Sequence, residues 1–189
     1  MKITKIILGS QSPRRREYIQ YLGFPVVSVS SDVEETFPFD LPLENVPEYL
    51  AKLKADSLNL NLAEGELLLT CDTVVILDRE LLGKPINEID ACNLLAKLSG
   101  RTHQVVSGVF MQSRNKAVSF SVATWVTFAK LEEEQIKKYV DCCKPLDKAG
   151  AYGIQEDIGF VGVEKIEGSY MNVIGLPLAQ IKEKLQVFT

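Results

Sequence analysis

The densest chemistry in the chain lies at residues 9–16, Gly-Ser-Gln-Ser-Pro-Arg-Arg-Arg. Ser12 stands where a helix N-cap belongs, with Pro13 at the first helical position. Both are favoured there, because a cap hydroxyl satisfies an orphan N–H and proline has none to leave unpaired. Arg14, Arg15 and Arg16 then fall in the first helical turn. Cations at that end oppose the helix macrodipole, so helix stability does not account for them. A bound anion does, since helix amides and guanidinium groups would both face it. Ser10, Ser12, Arg14 and Arg15 are therefore candidates for a phosphate or polyphosphate site. The plainer reading is a basic surface turn.

Asp72 interrupts an otherwise apolar stretch from Leu67 to Leu77. A carboxylate inside such a strand is costly unless it is paired, hydrogen-bonded or solvated by a cleft. In a cleft it would accept a proton from water or ligate a divalent cation. The alternative is an aspartate at a bulge, pointing to solvent. Gly83-Lys84-Pro85 puts a point charge on stiff backbone, suited to a phosphate oxygen, although the same tripeptide is a common surface turn. Lys54 lies beside an apolar helical stripe, where most lysines are solvated or lay their stems along the surface. Asp32, Glu34 and Glu35 form an acidic run that would assist a metal or remain a solvated face. Residues 147–155, Asp-Lys-Ala-Gly-Ala-Tyr-Gly-Ile-Gln, combine small residues that allow close backbone approach with Gln155. A glutamine amide both donates and accepts, the pattern needed to read a pyrimidine edge. Arg101 and His103 follow a predicted helix end, where positive charge complements the dipole.

The elements that must position these residues alternate between strand and helix. Ile3 to Leu8 reads as a strand and Pro13 to Leu22 as a helix ending at Gly23. Val26 to Ser30 is a second strand. Pro38, Pro42 and Pro47 make residues 36–47 a loop. Leu50, Leu53, Leu58 and Leu62 recur at helical spacing over Glu48 to Leu62. Leu67 to Leu77 is a long strand that turns at Asp78-Arg79 into Glu80 to Leu82. Asn87 to Leu98 and Glu132 to Cys142 read as helices. Gln104 to Gln112 and Val118 to Phe128 read as strands paired around Ser113 to Lys116. Gly159 to Val163 and Met171 to Ile174 read as short strands, and Ala179 to Val187 as a closing helix. The sum is an α/β chain with a mixed sheet. No linker separates independent domains, so residues 1–189 read as a single domain.

The bulk numbers narrow the function classes. A net charge of −4 and an isoelectric point near 5.2 argue against broad nucleic-acid binding, which needs a basic face. No segment approaches a membrane span, and the N-terminal apolar run is too short for a secretory signal, which points to the cytoplasm. Cys71, Cys92, Cys142 and Cys143 have no Cys-x-x-Cys spacing, against both a zinc site and a disulfide framework. His103 is the sole histidine, and nothing near it suggests a catalytic triad.

Together these segments resemble the Maf family of nucleoside triphosphate pyrophosphatases, in order and over nearly the whole chain. Ser10 to Arg15 is similar to the family's opening Ser-x-Ser-Pro-Arg-Arg, and Cys71-Asp72-Thr73-Val74-Val75 to its Ala-Asp-Thr-x-Val strand. Leu82 to Pro85, Leu98 to His103, Asp147 to Gln155 and Ile166 to Pro177 also fit. The resemblance implies a mixed, curved central sheet flanked by helices, with two lobes and a cleft between them, related to the inosine triphosphate pyrophosphatases. It implies hydrolysis of a nucleoside triphosphate to the monophosphate and pyrophosphate with Mg²⁺ or Mn²⁺, in a homodimer. By position, Asp72 would be the general base, with Lys84 beside it in the catalytic set. Ser10, Arg14, Arg15, Lys54 and Lys84 would hold the phosphates, and Glu35 and Asp72 the metal. Arg14, Thr73 and Gln155 match positions tied to substrate choice. The intact run to Gln155 resembles the branch acting on dTTP and UTP rather than that acting on 7-methyl-GTP. One departure is Glu156, where the family commonly has glycine; a carboxylate there bears on the loop and the base pocket. The chemistry agrees, because phosphoanhydride hydrolysis needs charge neutralisation and a positioned water more than covalent catalysis. The chain has no P-loop motif. Competing readings are the same reaction on another base, or a nucleotide-binding regulator of cell division. A regulator would be marked by a spoiled base or phosphate clamp, and Asp72, Lys84 and Arg14 are all present.

Overall fold

The structure, a computed structural model, describes residues 2–188. Its strands are β1 (Lys5–Gly9), β2 (Val26–Val29), β3 (Glu66–Leu77), β4 (Glu80–Leu82), β5 (Thr102–Gln112), β6 (Ala117–Phe128) and β7 (Val163–Glu167). Its α-helices are α1 (Pro13–Tyr18), α2 (Val46–Leu58), α3 (Glu88–Leu98), α4 (Glu133–Cys143), α5 (Asp157–Gly162), α6 (Tyr170–Ile174) and α7 (Leu178–Lys184). The strands form one sheet in the order β2-β1-β3-β5-β6-β7, with β4 added to β3. β1 runs parallel to β2 and β3, whereas β3–β4 and β6–β7 are antiparallel, so the sheet is mixed.

The chain divides into two compact units. The first takes the residues up to Asp72, Ser107–Val122 and the segment from Gly175. Its strands are apolar at successive positions because both sheet faces are covered. Ile6, Leu8, Leu67, Leu69, Cys71, Val109 and Met111 pack with Leu176, Ile181, Leu185 and Phe188. The alternate residues Ile7, Leu68 and Phe110 pack instead with Ala51 and Ala55 of α2. A strand period of two sends neighbours to opposite faces, which produces these two clusters. α2 lies close on β3 and β5. The Thr70 hydroxyl donates to the Ala51 carbonyl at 2.6 Å, and a Cβ at Gly108 would collide with the backbone of Pro47 and Glu48.

The second unit is Thr73–Val106 with Ala123–Ile174. Its centre holds three rings. His103 stacks on Phe128 and meets Tyr152 edge-on, with its Nε2 2.8 Å from the Tyr152 hydroxyl. Burial lowers the imidazole pKa to about 4 and keeps the ring neutral at pH 7. His103 therefore does not complement a helix dipole, as the sequence suggested. It is a core residue of β5, and Arg101 alone reaches the end of α3, donating to the Lys97 carbonyl at 3.4 Å.

Other expectations also change. Residues 159–163 and 171–174 are not strands; they fall mainly in α5 and α6. Ile158, Gly159 and Gly162 are buried while Phe160 and Val161 are exposed, a helical rather than an alternating spacing. The Ser169 hydroxyl accepts from the Asn172 amide at 3.2 Å and so caps α6. α2 begins at Val46, because Pro47 sits in the first turn, where its missing N–H costs nothing. α1 ends at Tyr18 and continues as a 3₁₀ turn to Leu22. None of Cys71, Cys92, Cys142 and Cys143 is in a disulfide. Among the described residues no helix is long and apolar enough to cross a membrane.

Candidate active site

In the first unit the chain leaves β1 at Gly9 and enters α1 through the cap that the sequence suggests. The Ser12 hydroxyl accepts from the Arg15 amide at 3.5 Å, and the Ser10 hydroxyl accepts from the Ser12 amide at 3.2 Å. Arg15 turns back on the sheet. Its Nε donates to the Gly175 carbonyl at 2.9 Å, and its Nη1 to the Cys71 carbonyl at 2.6 Å. This guanidinium thus fixes the start of α1 to β3 one residue before Asp72, while its Nη1 is also 3.5 Å from the Ser10 hydroxyl. Arg16 donates to the Gln11 carbonyl at 2.7 Å, within its own loop. Arg14 is partly buried beside them.

Asp72 is 8% exposed on β3 and does not point freely to solvent. Lys54 explains how its charge is carried. On α2, Leu50, Ala51 and Ala55 form the buried stripe, and Lys54 lies one turn from the first two. Its ammonium donates to Asp72 Oδ1 and to Glu35 Oε1, the latter at 2.8 Å. The side chains of Lys54 and Asp72 are 13% and 11% exposed, so this is no solvated surface lysine. Two carboxylates converging on one buried cation meet the requirement that buried charge be paired. Sequence reading named all three residues but had no signal for their meeting, since Glu35, Lys54 and Asp72 come from a loop, a helix and a strand.

The second unit carries the remaining candidates. Thr73 is partly buried on β3, and Lys84 is exposed in the turn after β4. The Gly83 carbonyl accepts from the Gly150 amide at 3.0 Å, which joins the Lys84 turn to the segment ending at Gln155. Gly150 has φ 70°, and a Cβ there would press on Val75 at 3.2 Å, so the close approach anticipated for this segment is real. Gln155 is partly buried, and its Oε1 is sealed from solvent with no hydrogen-bond partner.

Glu156 does not disturb this arrangement. Its backbone is extended (φ −106°, ψ 172°), a conformation open to any residue. Its carboxylate accepts from the Tyr139 hydroxyl and pairs with Lys148 Nζ at 3.2 Å. Burial and the neighbouring carboxylate raise the Tyr139 pKa, so the phenol keeps its proton. Tyr139 and Lys148 are the two residues of this region whose roles sequence reading missed. Lys148 lay inside a motif already noted, but nothing in the local sequence of α4 marks Tyr139.

A mixed sheet flanked by helices, with a helix lysine joining a loop carboxylate to the Asp72 carboxylate of β3, defines a class of protein. A solved structure of the Staphylococcus aureus Ham1 protein matches it with a TM-score of 0.58, covering 98% of this chain and 100% of that one. At 17% identity the match concerns the fold alone. The family model for Maf-like proteins matches residues 5–188, and the chain belongs to the Maf family. A protein of Phocaeicola vulgatus named dTTP/UTP pyrophosphatase is 48% identical over 183 residues, covering 96% of this chain and 95% of its own. A Flavobacterium psychrophilum protein of the same name is 47% identical over 178 residues, covering 94% and 91%.

Proposed function

We propose that this protein hydrolyses dTTP and UTP to the nucleoside monophosphate and pyrophosphate. Near-complete coverage by relatives of that name supports the substrate. The observation that carries the chemistry is the meeting of Asp72 and Glu35 on the largely buried ammonium of Lys54 in the first unit.

In this reading the α–β phosphoanhydride bond breaks, water supplies the incoming oxygen, and Asp72 takes the water's proton. Lys54, Lys84, Arg14 and Arg15 offset phosphate charge, and the hydroxyls of Ser10 and Ser12 add neutral donors. Glu35 and Asp72 fit a divalent cation. Among the described residues no three acidic, histidine or cysteine side chains cluster as a self-sufficient metal site. The two hard carboxylates of Glu35 and Asp72 would nevertheless suit Mg²⁺ or Mn²⁺ as part of its ligand set. The ion, when bound, would neutralise charge on the triphosphate. Arg14, Thr73 and Gln155 select the base. The unpartnered Oε1 of Gln155 suits the N3–H of uracil or thymine, and its amide N–H suits the adjacent carbonyl. Cytosine reverses both roles. A cytoplasmic homodimer completes the proposal.

The test is pyrophosphate release from dTTP, UTP, CTP, GTP and 7-methyl-GTP, with Mg²⁺, Mn²⁺ or EDTA. Metal-dependent release that is fastest for dTTP and UTP is expected. Preference for 7-methyl-GTP would overturn the base assignment, and no release from any nucleotide would overturn the enzymatic reading.

A further inference from the structure

Gln155 is the third residue of a tight turn, closed by the Glu156 amide donating to the Gly153 carbonyl at 3.0 Å. Both ends of that turn are tied to a single atom outside it. The Gly153 amide donates to the Tyr139 hydroxyl at 3.1 Å, and the same hydroxyl donates to the Glu156 carboxylate. The phenol thus uses its acceptor on the first residue of the turn and its only proton on the last. The other Glu156 oxygen pairs with Lys148, whose side chain is 9% exposed and also bonded to Asp147 at 2.8 Å. The carboxylate lies against Gly153 so closely that a Cβ there would come within 2.6 Å of its Cδ. The α5 backbone continues from the same point, with the Gly159 amide donating to the Glu156 carbonyl at 2.8 Å. The Oε1 of Gln155 has no hydrogen-bond partner.

We infer that Tyr139, Glu156 and Lys148 form a clamp whose purpose is to fix the direction of the Gln155 amide, and so to set discrimination between pyrimidine bases. This rests on the base-reading role proposed for Gln155. A glutamine amide free to turn end for end offers a donor in one setting and an acceptor in the other, and so suits cytosine as well as uracil. Selectivity therefore requires a backbone that presents the side chain in one direction, and specificity sites depend on such supporting contacts. Tyr139, Glu156 and Lys148 are positioning residues here. They act through Gln155 and need not touch the nucleotide.

The experiment measures kcat/KM for dTTP and for CTP with Tyr139→Phe, Glu156→Ala, Glu156→Gln, Gln155→Ala and the double variant Tyr139→Phe/Gln155→Ala. Tyr139→Phe and Glu156→Ala should each lower the dTTP-to-CTP ratio by about tenfold, an effect of about 1.4 kcal/mol. The loss should appear in KM for dTTP more than in kcat. Glu156→Gln keeps an acceptor for the phenol and should restore most of the ratio. In the Gln155→Ala background, Tyr139→Phe should change the ratio less than twofold, because residues acting through one another are not additive. Glu156→Ala carries the test if Tyr139→Phe does not fold. A ratio unchanged by either clamp variant, while Gln155→Ala collapses it, overturns the clamp and leaves the base-reading role standing. An equal fall in the Gln155→Ala background also overturns the clamp. If Gln155→Ala itself leaves the ratio unchanged, the base-reading role falls and the clamp with it.

Discussion

Lys54 is the residue on which the proposed chemistry turns, because it is the shared partner of two carboxylates. Asp72→Asn removes the proton acceptor but keeps the shape and a hydrogen-bond acceptor for Lys54. Turnover of dTTP should fall by ~10²-fold or more with the melting temperature little changed. Lys54→Met leaves Asp72 buried without its cation, a change that costs roughly 3 kcal/mol in comparable buried pairs. Urea unfolding should therefore rank Lys54→Met well below Asp72→Asn, and equal stability of the two would show that the pair carries little energy. His103 makes a separate statement about pH. Its folded-state pKa is lowered by burial to about 4, from 6.5 in the exposed group. Above pH 6.5 both states are neutral and nothing is lost. As pH falls from 6.5 to 4 the unfolded chain takes a proton that the folded chain refuses, so stability drops by about 3 kcal/mol across that window. His103→Gln, which retains a partner for the Tyr152 hydroxyl, should flatten the profile. Because the chain has one histidine, its imidazole proton resonance reads this directly, and titration near pH 6.5 would refute the buried neutral ring.

At the scale of elements, two glycines separate packing from turn geometry. Gly108 of β5 faces the backbone of Pro47 and Glu48, so Gly108→Ala should destabilise the protein by roughly 1–3 kcal/mol through overpacking. Gly83 has open space where a Cβ would go, and Gly83→Ala should leave the melting temperature nearly unchanged. A reversed order in thermal unfolding would contradict the packing of α2 on β5. Elements whose signals are long and local were legible in the sequence. The apolar run of β3, the Asp78-Arg79 turn and the Ser12-Pro13 start of α1 all stand where the residues put them. Short apolar runs were not. Gly159 to Val163 and Met171 to Ile174 are too brief for periodicity to separate strand from helix. The Ser169 cap and the close approach of Gly159 to the Ile154 backbone decide those cases. Some residues of the candidate site stood out singly in the sequence, because aspartate inside an apolar strand and arginine at a helix start are locally costly. Their partnerships did not, since Lys54 reaches Asp72, and Tyr139 reaches Gly153 and Glu156, only through tertiary packing.

For the whole molecule, a net charge of −4 means that the proposed phosphate-binding groups act as a local cluster rather than across a basic face. The proposed homodimer is checked by light scattering, which should return twice the chain mass of 21.0 kDa; a single-chain mass would refute it. In the proposed reaction one bond breaks, between the α and β phosphates of a pyrimidine nucleoside triphosphate. Product analysis of dTTP after incubation with the purified protein and Mg²⁺ tests it most directly. The expected products are dTMP and pyrophosphate in equal amounts, suppressed by EDTA and by Asp72→Asn. The appearance of dTDP and orthophosphate, or the recovery of intact dTTP, would contradict it.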